Sequence, residues 1–257
     1  MFITTAGRTN NRLVEKAKSM ANELKIEYVS RRKNSIQAVQ QLLNDDCIVV
    51  GKDRLEMYPI GGGKPFFFHP NSAMFRVKRI MRGEPDPFLQ ACNLKSGERF
   101  LDCTLGLASD SIVAAYKVGN EGSVVGVEGN PYLAYIVANG LQEWDSNSTG
   151  INKAMRSIQV IHQLSTEYLK SLEENSFDCV YFDPMFEDQI IESDGIQGLR
   201  RFAVYIDLTE ELIQEAKRVS KGRIVLKDHF RSERFKRFGF DVYTRPSAKF
   251  HFGVIEK

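Results

Sequence analysis

Apolar residues recur along this chain at two different spacings, and the alternation between them sorts it into elements. Leu13, Ala17, Met20 and Leu24 fall every three to four residues, which predicts a helix over 11–24 with one buried face. Short apolar runs at 2–5 and 26–30 read as strands on either side of it, and a second helix is predicted over 35–43. The texture then changes. Residues 47–50, 54–60 and 65–69 are strand candidates separated by Gly51-Lys52-Asp53 and Gly61-Gly62-Gly63, turn compositions that predict a small sheet. A helix is predicted over 74–81. Glu84-Pro85-Asp86-Pro87 follows, and because proline cannot continue a helix a domain boundary is expected there, dividing 1–85 from 86–257.

From residue 86 onward, apolar strands alternate with helices. The strands are expected at 99–103, 123–128, 158–162, 177–182 and 223–227, and the helices at 109–118, 131–144, 166–174, 208–219 and 232–238. Near-continuous Val/Ile/Leu/Phe runs suit strands buried on both faces, so the fold class is α/β: a mostly parallel sheet covered by helices. Residues 241–244 and 250–255, joined by Arg245-Pro246-Ser247, predict an antiparallel hairpin at its end. A small α/β domain precedes this sheet.

Composition narrows the classes. With 42% hydrophobic residues over 257, the chain can bury a large core, and 35 Lys+Arg against 33 Asp+Glu exclude an indiscriminate polycation. The near balance hides a split: residues 1–83 hold 15 Lys+Arg and 7 Asp+Glu, residues 84–257 hold 20 and 26. A basic N-terminal platform for phosphates joined to an acidic-leaning second domain fits that asymmetry. Mean hydropathy is −0.30 and no apolar run approaches the roughly 18–20 residues a membrane span needs, so a soluble, cytoplasmic protein is expected. Cys47, Cys92, Cys103 and Cys179 are widely spaced, without a CxxC pair or a histidine at a ligand interval; buried free thiols and no metal site are expected.

The chemistry is expected at the strand ends, because open α/β sheets bind ligands beyond the carboxyl edge where strand order reverses. The strand at 99–103 runs into Gly106-Leu107-Ala108-Ser109-Asp110, where Gly106 permits a tight turn and close backbone approach. A pyrophosphate would need two further glycines, and Ala108 and Ser109 stand in their place, which disfavours a nicotinamide oxidoreductase. The next strand ends Val127-Glu128-Gly129-Asn130-Pro131, and a carboxylate at that tip can accept both hydroxyls of a ribose. The strand at 177–182 runs straight into Asp183-Pro184-Met185-Phe186. Pro184 biases Asp183 toward an extended backbone; carboxylate and turn carbonyls suit an exocyclic amine, and Phe186 offers a stacking face. A strand-ending turn with a core phenylalanine is the alternative. Ahead of these motifs, 75–82 interleaves Arg76, Lys78, Arg79 and Arg82 with apolar residues at helical spacing, either a phosphate-binding face or an ordinary solvated helix. Arg231, Arg234, Lys236 and Arg237 form a second basic patch.

Taken together, Asp102-Cys103-Thr104-Leu105-Gly106 with Asp110, the Val-Glu-Gly-Asn-Pro at 127–131, the Val-Ile-His-Gln-Leu-Ser at 160–165 and the Asp-Pro-Met-Phe at 183–186 resemble class I S-adenosylmethionine-dependent methyltransferases. The closer resemblance is to the RsmJ-type family, which methylates a guanine exocyclic amine in small-subunit ribosomal RNA. It spans roughly residues 45–257. It implies a Rossmann-like, mostly parallel seven-stranded sheet with a C-terminal antiparallel hairpin. It also implies S-adenosylmethionine as cofactor, held by Asp102, Gly106, Ser109, Asp110, Glu128, Gly129, Leu164, Ser165 and Asp183. Asp183, Pro184 and Phe186 would form the catalytic turn, and RNA or the ribosomal small subunit would be the partner. The chain departs from the family's usual Gly-Leu-Gly-Arg-Asp loop, having Gly106-Leu107-Ala108-Ser109-Asp110. A methyltransferase for a small molecule or protein, and a non-catalytic module binding the cofactor or RNA, are the alternatives.

Overall fold

The computed structural model describes residues 1–184, 201–204, 207–246 and 248–257. They divide into two compact units, Met1–His69 with Gln189–Ala203 and Pro70–Asp188 with Val204–Lys257.

The first unit carries β1 (Phe2–Thr5), α1 (Asn11–Leu24), β2 (Glu27–Tyr28), α2 (Ile36–Leu43), β3 (Cys47–Val50) and β4 (Leu55–Tyr58). Its sheet has the order β2-β1-β3-β4, with β1 parallel to both neighbours and β4 antiparallel to β3. Helix boundaries follow from local chemistry. The Asn10 side chain accepts the Leu13 N–H at 2.9 Å to open α1, and Lys25 closes it in the left-handed region at φ 54°. The strand expected at 65–69 is reduced to one bridge between Phe66 and Met57, because Pro65 and Pro70 bracket the run and lack the N–H groups a ladder uses.

The second unit carries α3 (Asn71–Met81), α4 (Pro87–Cys92), β5 (Arg99–Asp102), α5 (Ser109–Val118), β6 (Ser123–Glu128), α6 (Pro131–Glu143), α7 (Thr149–Arg156), β7 (Ile158–His162), α8 (Ser165–Ser171), β8 (Phe177–Phe182), α9 (Glu210–Val219), β9 (Ser220–His229), α10 (Arg234–Phe238), β10 (Asp241–Tyr243) and β11 (Phe250–Glu256). The strands are ordered β10-β11-β9-β8-β5-β6-β7; β9, β8, β5, β6 and β7 are mutually parallel, and β11 runs antiparallel to β9 and β10. The chain therefore leaves β5 toward β7 and returns to the other side of β5 as β8. That reversal opens a crevice between the carboxyl ends of β5 and β8.

Period-two alternation fills both faces of the sheet. Leu101, Val180, Phe182, Ile224 and Leu226 pack with Leu212, Ile213, Ala216 and Val219 of α9. On the other face Phe100 and Tyr181 meet Phe88 of α4 edge to face, with centroids 5.7 and 5.0 Å apart. The Pro-Asp-Pro run read from the sequence as an interruption is in fact the start of α4: Asp86 accepts the Phe88 and Leu89 N–H groups at 3.1 and 3.2 Å, with Pro87 in the first turn. The compact units part at His69/Pro70, whereas the sequence reading drew its boundary at 85/86, so α3 belongs with the seven-stranded sheet. All four cysteines are buried and free.

Candidate functional site

At the reversal point, β5 ends in Asp102, 2% exposed, whose carboxylate accepts Thr104 N–H at 3.0 Å and Ser111 Oγ at 2.6 Å. Burial pushes this carboxyl up to about 7, against the opposing pull of those hydrogen bonds. The chain then turns through Gly106 at φ 48° and Ala108 at φ 58°, both left-handed, before α5 begins at Ser109. Leu105 anchors the turn: its N–H meets Val127 O at 3.0 Å, and a Cβ on Gly126 would lie 2.2 Å from Leu105 Cδ1. Only glycine fits beneath it.

Glu128, at the tip of β6, is 8% exposed and accepts the Asn130 N–H at 2.9 Å. Burial raises its pKa, and backbone N–H groups of Asn130, Gly106 and Gly129 work against that rise, so this carboxylate and the Gly106 turn are hydrogen-bonded together. Beside it, a Cβ on Gly129 would stand 3.3 Å from Leu164 and from Val204, and Leu164 is 44% exposed. Ser165 at the start of α8 donates its hydroxyl to the Cys103 carbonyl, tying the end of β7 to the end of β5. An apolar rim next to a carboxylate suits an adenosine: the rim for the base, the carboxylate for the ribose hydroxyls.

A charged network lies alongside. Arg76 of α3 grips Asp86 with Nε and Nη2 at 2.8 and 2.9 Å and reaches Asp110 Oδ1 with Nη1 at 2.5 Å. Asp110 Oδ2 accepts Tyr181 Oη at 2.9 Å and Lys227 Nζ at 3.3 Å, and the same Nζ donates to Asp183 Oδ2 at 2.6 Å. The Asp183 N–H is held by Thr104 Oγ1 at 2.7 Å. Burial would raise Asp110, but Lys227 and Arg76 outweigh it and hold this carboxyl well below its ordinary range. For Asp183 burial wins over Lys227, and its pKa is raised.

The structure brings Asp102, Gly106, Ser109, Asp110, Glu128, Gly129, Leu164, Ser165, Asp183 and the buried Pro184 to the carboxyl ends of β5 to β8. Phe186 lies outside the described residues. Arg76 departs from its sequence assignment as a phosphate contact: it is an internal ion-pair partner, 20% exposed, because Asp86 and Asp110 draw its guanidinium inward. Lys78, Arg79 and Arg82 are exposed, Arg79 pairing with Glu84 at 2.6 Å. Arg234 of the second patch reaches toward Asp228 and Asp207. Sequence reasoning missed Lys227, whose signal was a lysine closing the apolar run Ile224-Val225-Leu226. Among the described residues, no set of three His, Cys, Asp or Glu is arranged to hold a metal ion, and no helix is long and apolar enough to cross a membrane.

Comparison with known proteins agrees with this geometry. The family described as "Putative SAM-dependent methyltransferase" matches residues 40–238. The uncharacterized protein YpiP of Bacillus subtilis is 46% identical over 255 residues, covering 99% of each chain. Ribosomal RNA small subunit methyltransferase J of Legionella pneumophila is 27% identical over 229 residues, covering 88% of this chain and 86% of its own. The solved SAM-dependent methyltransferase NGO1261 of Neisseria gonorrhoeae shares the fold, with a TM-score of 0.63 at 15% identity over 100% of this chain and 96% of that one. The family match spans most of the sequence and the solved neighbour shares the fold, and the chain belongs to the SAM-dependent methyltransferases, with S-adenosylmethionine as its cofactor.

Proposed function

We propose that the enzyme methylates the exocyclic amine of a guanine in small-subunit ribosomal RNA. The observation that carries this reading is Asp183: a carboxylate at the end of β8, followed by Pro184, its backbone fixed by Thr104 and its Oδ2 fixed by Lys227. The name of the Legionella relative points to the same RNA.

The residues at the strand ends fit the cofactor. Glu128 would take the ribose hydroxyls, Gly129 and Leu164 would flank the base, and the turn from Gly106 to Ser109 would pass close to the remainder. When bound, S-adenosylmethionine supplies a methyl group on a sulfonium sulfur. Asp110 has both oxygens committed to Arg76, Lys227 and Tyr181, so on this reading it positions those groups instead of contacting the cofactor.

A guanine amine is a weak nucleophile because its lone pair is delocalised into the ring. Asp183 accepts one of its N–H bonds, concentrates electron density on nitrogen and aims it along the transfer line, so positioning is the main contribution. An amine that accepted this methyl would have to lose a proton. Asp183, whose pKa is raised by burial, is the adjacent group to receive it. The base leaves its stack to reach this depth, with Phe186 assigned as its stacking partner. Lys78, Arg79 and Arg82, the Arg231 to Arg237 patch and the basic N-terminal segment hold phosphates.

The test is methyl incorporation from labelled S-adenosylmethionine into small subunits, or RNA extracted from them, from a strain lacking the gene. One labelled guanine, lost with Asp183→Ala while cofactor affinity persists, is expected. Label appearing only in protein or small molecules overturns the substrate assignment.

A further inference from the structure

Beyond β9 the chain builds a groove of about 380 Å³ whose walls include Phe230, Arg245, Pro246, Lys249 and His251. We infer that this groove is a second nucleotide subsite, which seats an unpaired base flanking the methylated one; the inference rests on the RNA reading above and names where that RNA is held.

Phe230 is 43% exposed, an unusual setting for a phenylalanine that is also held in place. Its N–H donates to Lys249 O at 3.1 Å, His229 and His251 lie 4.6 and 6.1 Å from it ring to ring, and the Arg231 guanidinium sits 5.0 Å from its centroid. His251 Nε2 lies 3.3 Å from Arg245 O, which ties the hairpin turn to the same wall. A fixed aromatic face beside arginine is the arrangement that stacks single-stranded bases with little regard to sequence.

Charge selects the occupant. Residues 227–251 hold seven Lys+Arg and three Asp+Glu, and one of those acids, Asp228, is 1% exposed and consumed by Ser232 and Arg234. The surface around the groove is therefore positive and complements a phosphate backbone. Position selects the role. Phe230 lies one residue past the end of β9 and follows Lys227 by three, so at about 3.3 Å per residue its Cα stands about 10 Å along the chain from that of Lys227, the residue that bonds Asp183. A strand threading the site reaches Phe230 with a neighbouring nucleotide.

The experiment compares wild type, Phe230→Ala, Phe230→Trp and Arg245→Gln in methyl transfer to RNA extracted from small subunits, with cofactor affinity and thermal melts as folding controls. Phe230→Ala is expected to raise the KM for RNA about tenfold, with kcat within about twofold and cofactor affinity unchanged. Phe230→Trp is expected to restore the wild-type KM, and Arg245→Gln to reduce the salt dependence of KM by about one phosphate contact. An unaltered KM in Phe230→Ala, or equal impairment in Phe230→Trp, overturns the subsite alone. A wild-type enzyme that transfers no methyl to RNA overturns the RNA reading and the subsite with it.

Discussion

Replacing Arg76 by Met separates an internal role for this residue from an RNA-binding one. The change keeps an apolar stem of similar length under the Phe88 ring and deletes the cation that bonds Asp86 and Asp110, side chains only 7% and 9% exposed. Removing one partner of a buried pair costs about 3–5 kcal/mol, because the remaining carboxylates are left desolvated. One-fifth exposure of Arg76 sets the expectation at the low end, about 3 kcal/mol. At about 2–4 °C per kcal/mol for a unit of this size, the melting temperature falls by about 6–12 °C, read by circular dichroism at pH 7. The pH dependence fixes the cause. Asp110 is held below its ordinary 3.8, so the stability it contributes is present above that value and is lost as pH falls through the depressed one. The gap between wild type and variant is therefore full at neutral pH and narrows below about pH 4. RNA affinity in the folded variant should keep its salt slope. An unchanged melting temperature with a shallower slope would refute the internal assignment and return Arg76 to the phosphate face.

Four further outcomes follow from the same geometry. Lys227→Met should raise the Asp183 pKa further and lower kcat on the order of 10²-fold, moving the acidic limb of the rate profile to higher pH, with partial rescue by Lys227→Arg; an unmoved limb would disconnect the lysine from Asp183. Gly126→Ala must displace the buried Leu105, costing about 1–3 kcal/mol and weakening cofactor affinity in calorimetry, because Leu105 leads into the Gly106 turn. Ala108→Gly gives up a buried methyl and adds backbone entropy but relieves a left-handed alanine, terms of about 1 kcal/mol each, so the melting temperature should stay within about 3 °C; a larger fall would show the turn unstrained. Asp102 holds a proton from 3.8 to about 7 that the unfolded chain has released, so stability declines as pH rises across that window, and Asp102→Asn should flatten the slope measured by denaturant unfolding.

The elements that the sequence announced are those whose signals are local. β6, β7 and β8 are short, predominantly apolar runs of five or six residues, and their observed limits are the predicted ones. Among the described residues, two helices went unread. α4 starts on a Pro-Asp-Pro that resembles a breaker until Asp86 is seen to cap it. In α7 the buried Ile151, Ala154 and Met155 amount to a single apolar stripe in eight mostly polar residues, too short for periodicity to stand out. The site divides in the same way. Glu128 and Asp183 were legible because glycine and proline mark the turns that follow them. The Asp86–Arg76–Asp110–Lys227–Asp183 network was not, because α3, the cap of α4, α5, β9 and the turn after β8 supply its members, with bonded partners as far as 117 residues apart, and only the fold brings them together.

That network also explains why two aspartates in contact with one lysine take different parts. Lys227 is shared, 2.6 Å from Asp183 and 3.3 Å from Asp110. Asp110 has Arg76 and the Tyr181 hydroxyl besides, so its charge is more than repaired and its pKa drops. Among the described residues Asp183 has its share of that one cation, against the burial that raises it and the nearby charge of Asp110, and its pKa moves the other way. Neighbouring carboxyls driven in opposite directions mark a division of labour: the depressed one stays ionised as a strut, and the raised one can take up a proton. Were Lys227 bonded to Asp183 alone, Asp183 would be held low and would be a poorer acceptor for the proton that the amine proposed as substrate sheds on methylation. Dividing the lysine keeps Asp183 oriented without fully neutralising it, and this balance depends on Asp110 holding the far side of the ammonium. Asp110→Asn should therefore lower the Asp183 pKa and shift the acidic limb of the rate profile to lower pH, opposite to the shift from Lys227→Met. Shifts in the same direction from both variants would mean that the two carboxylates do not compete for the lysine.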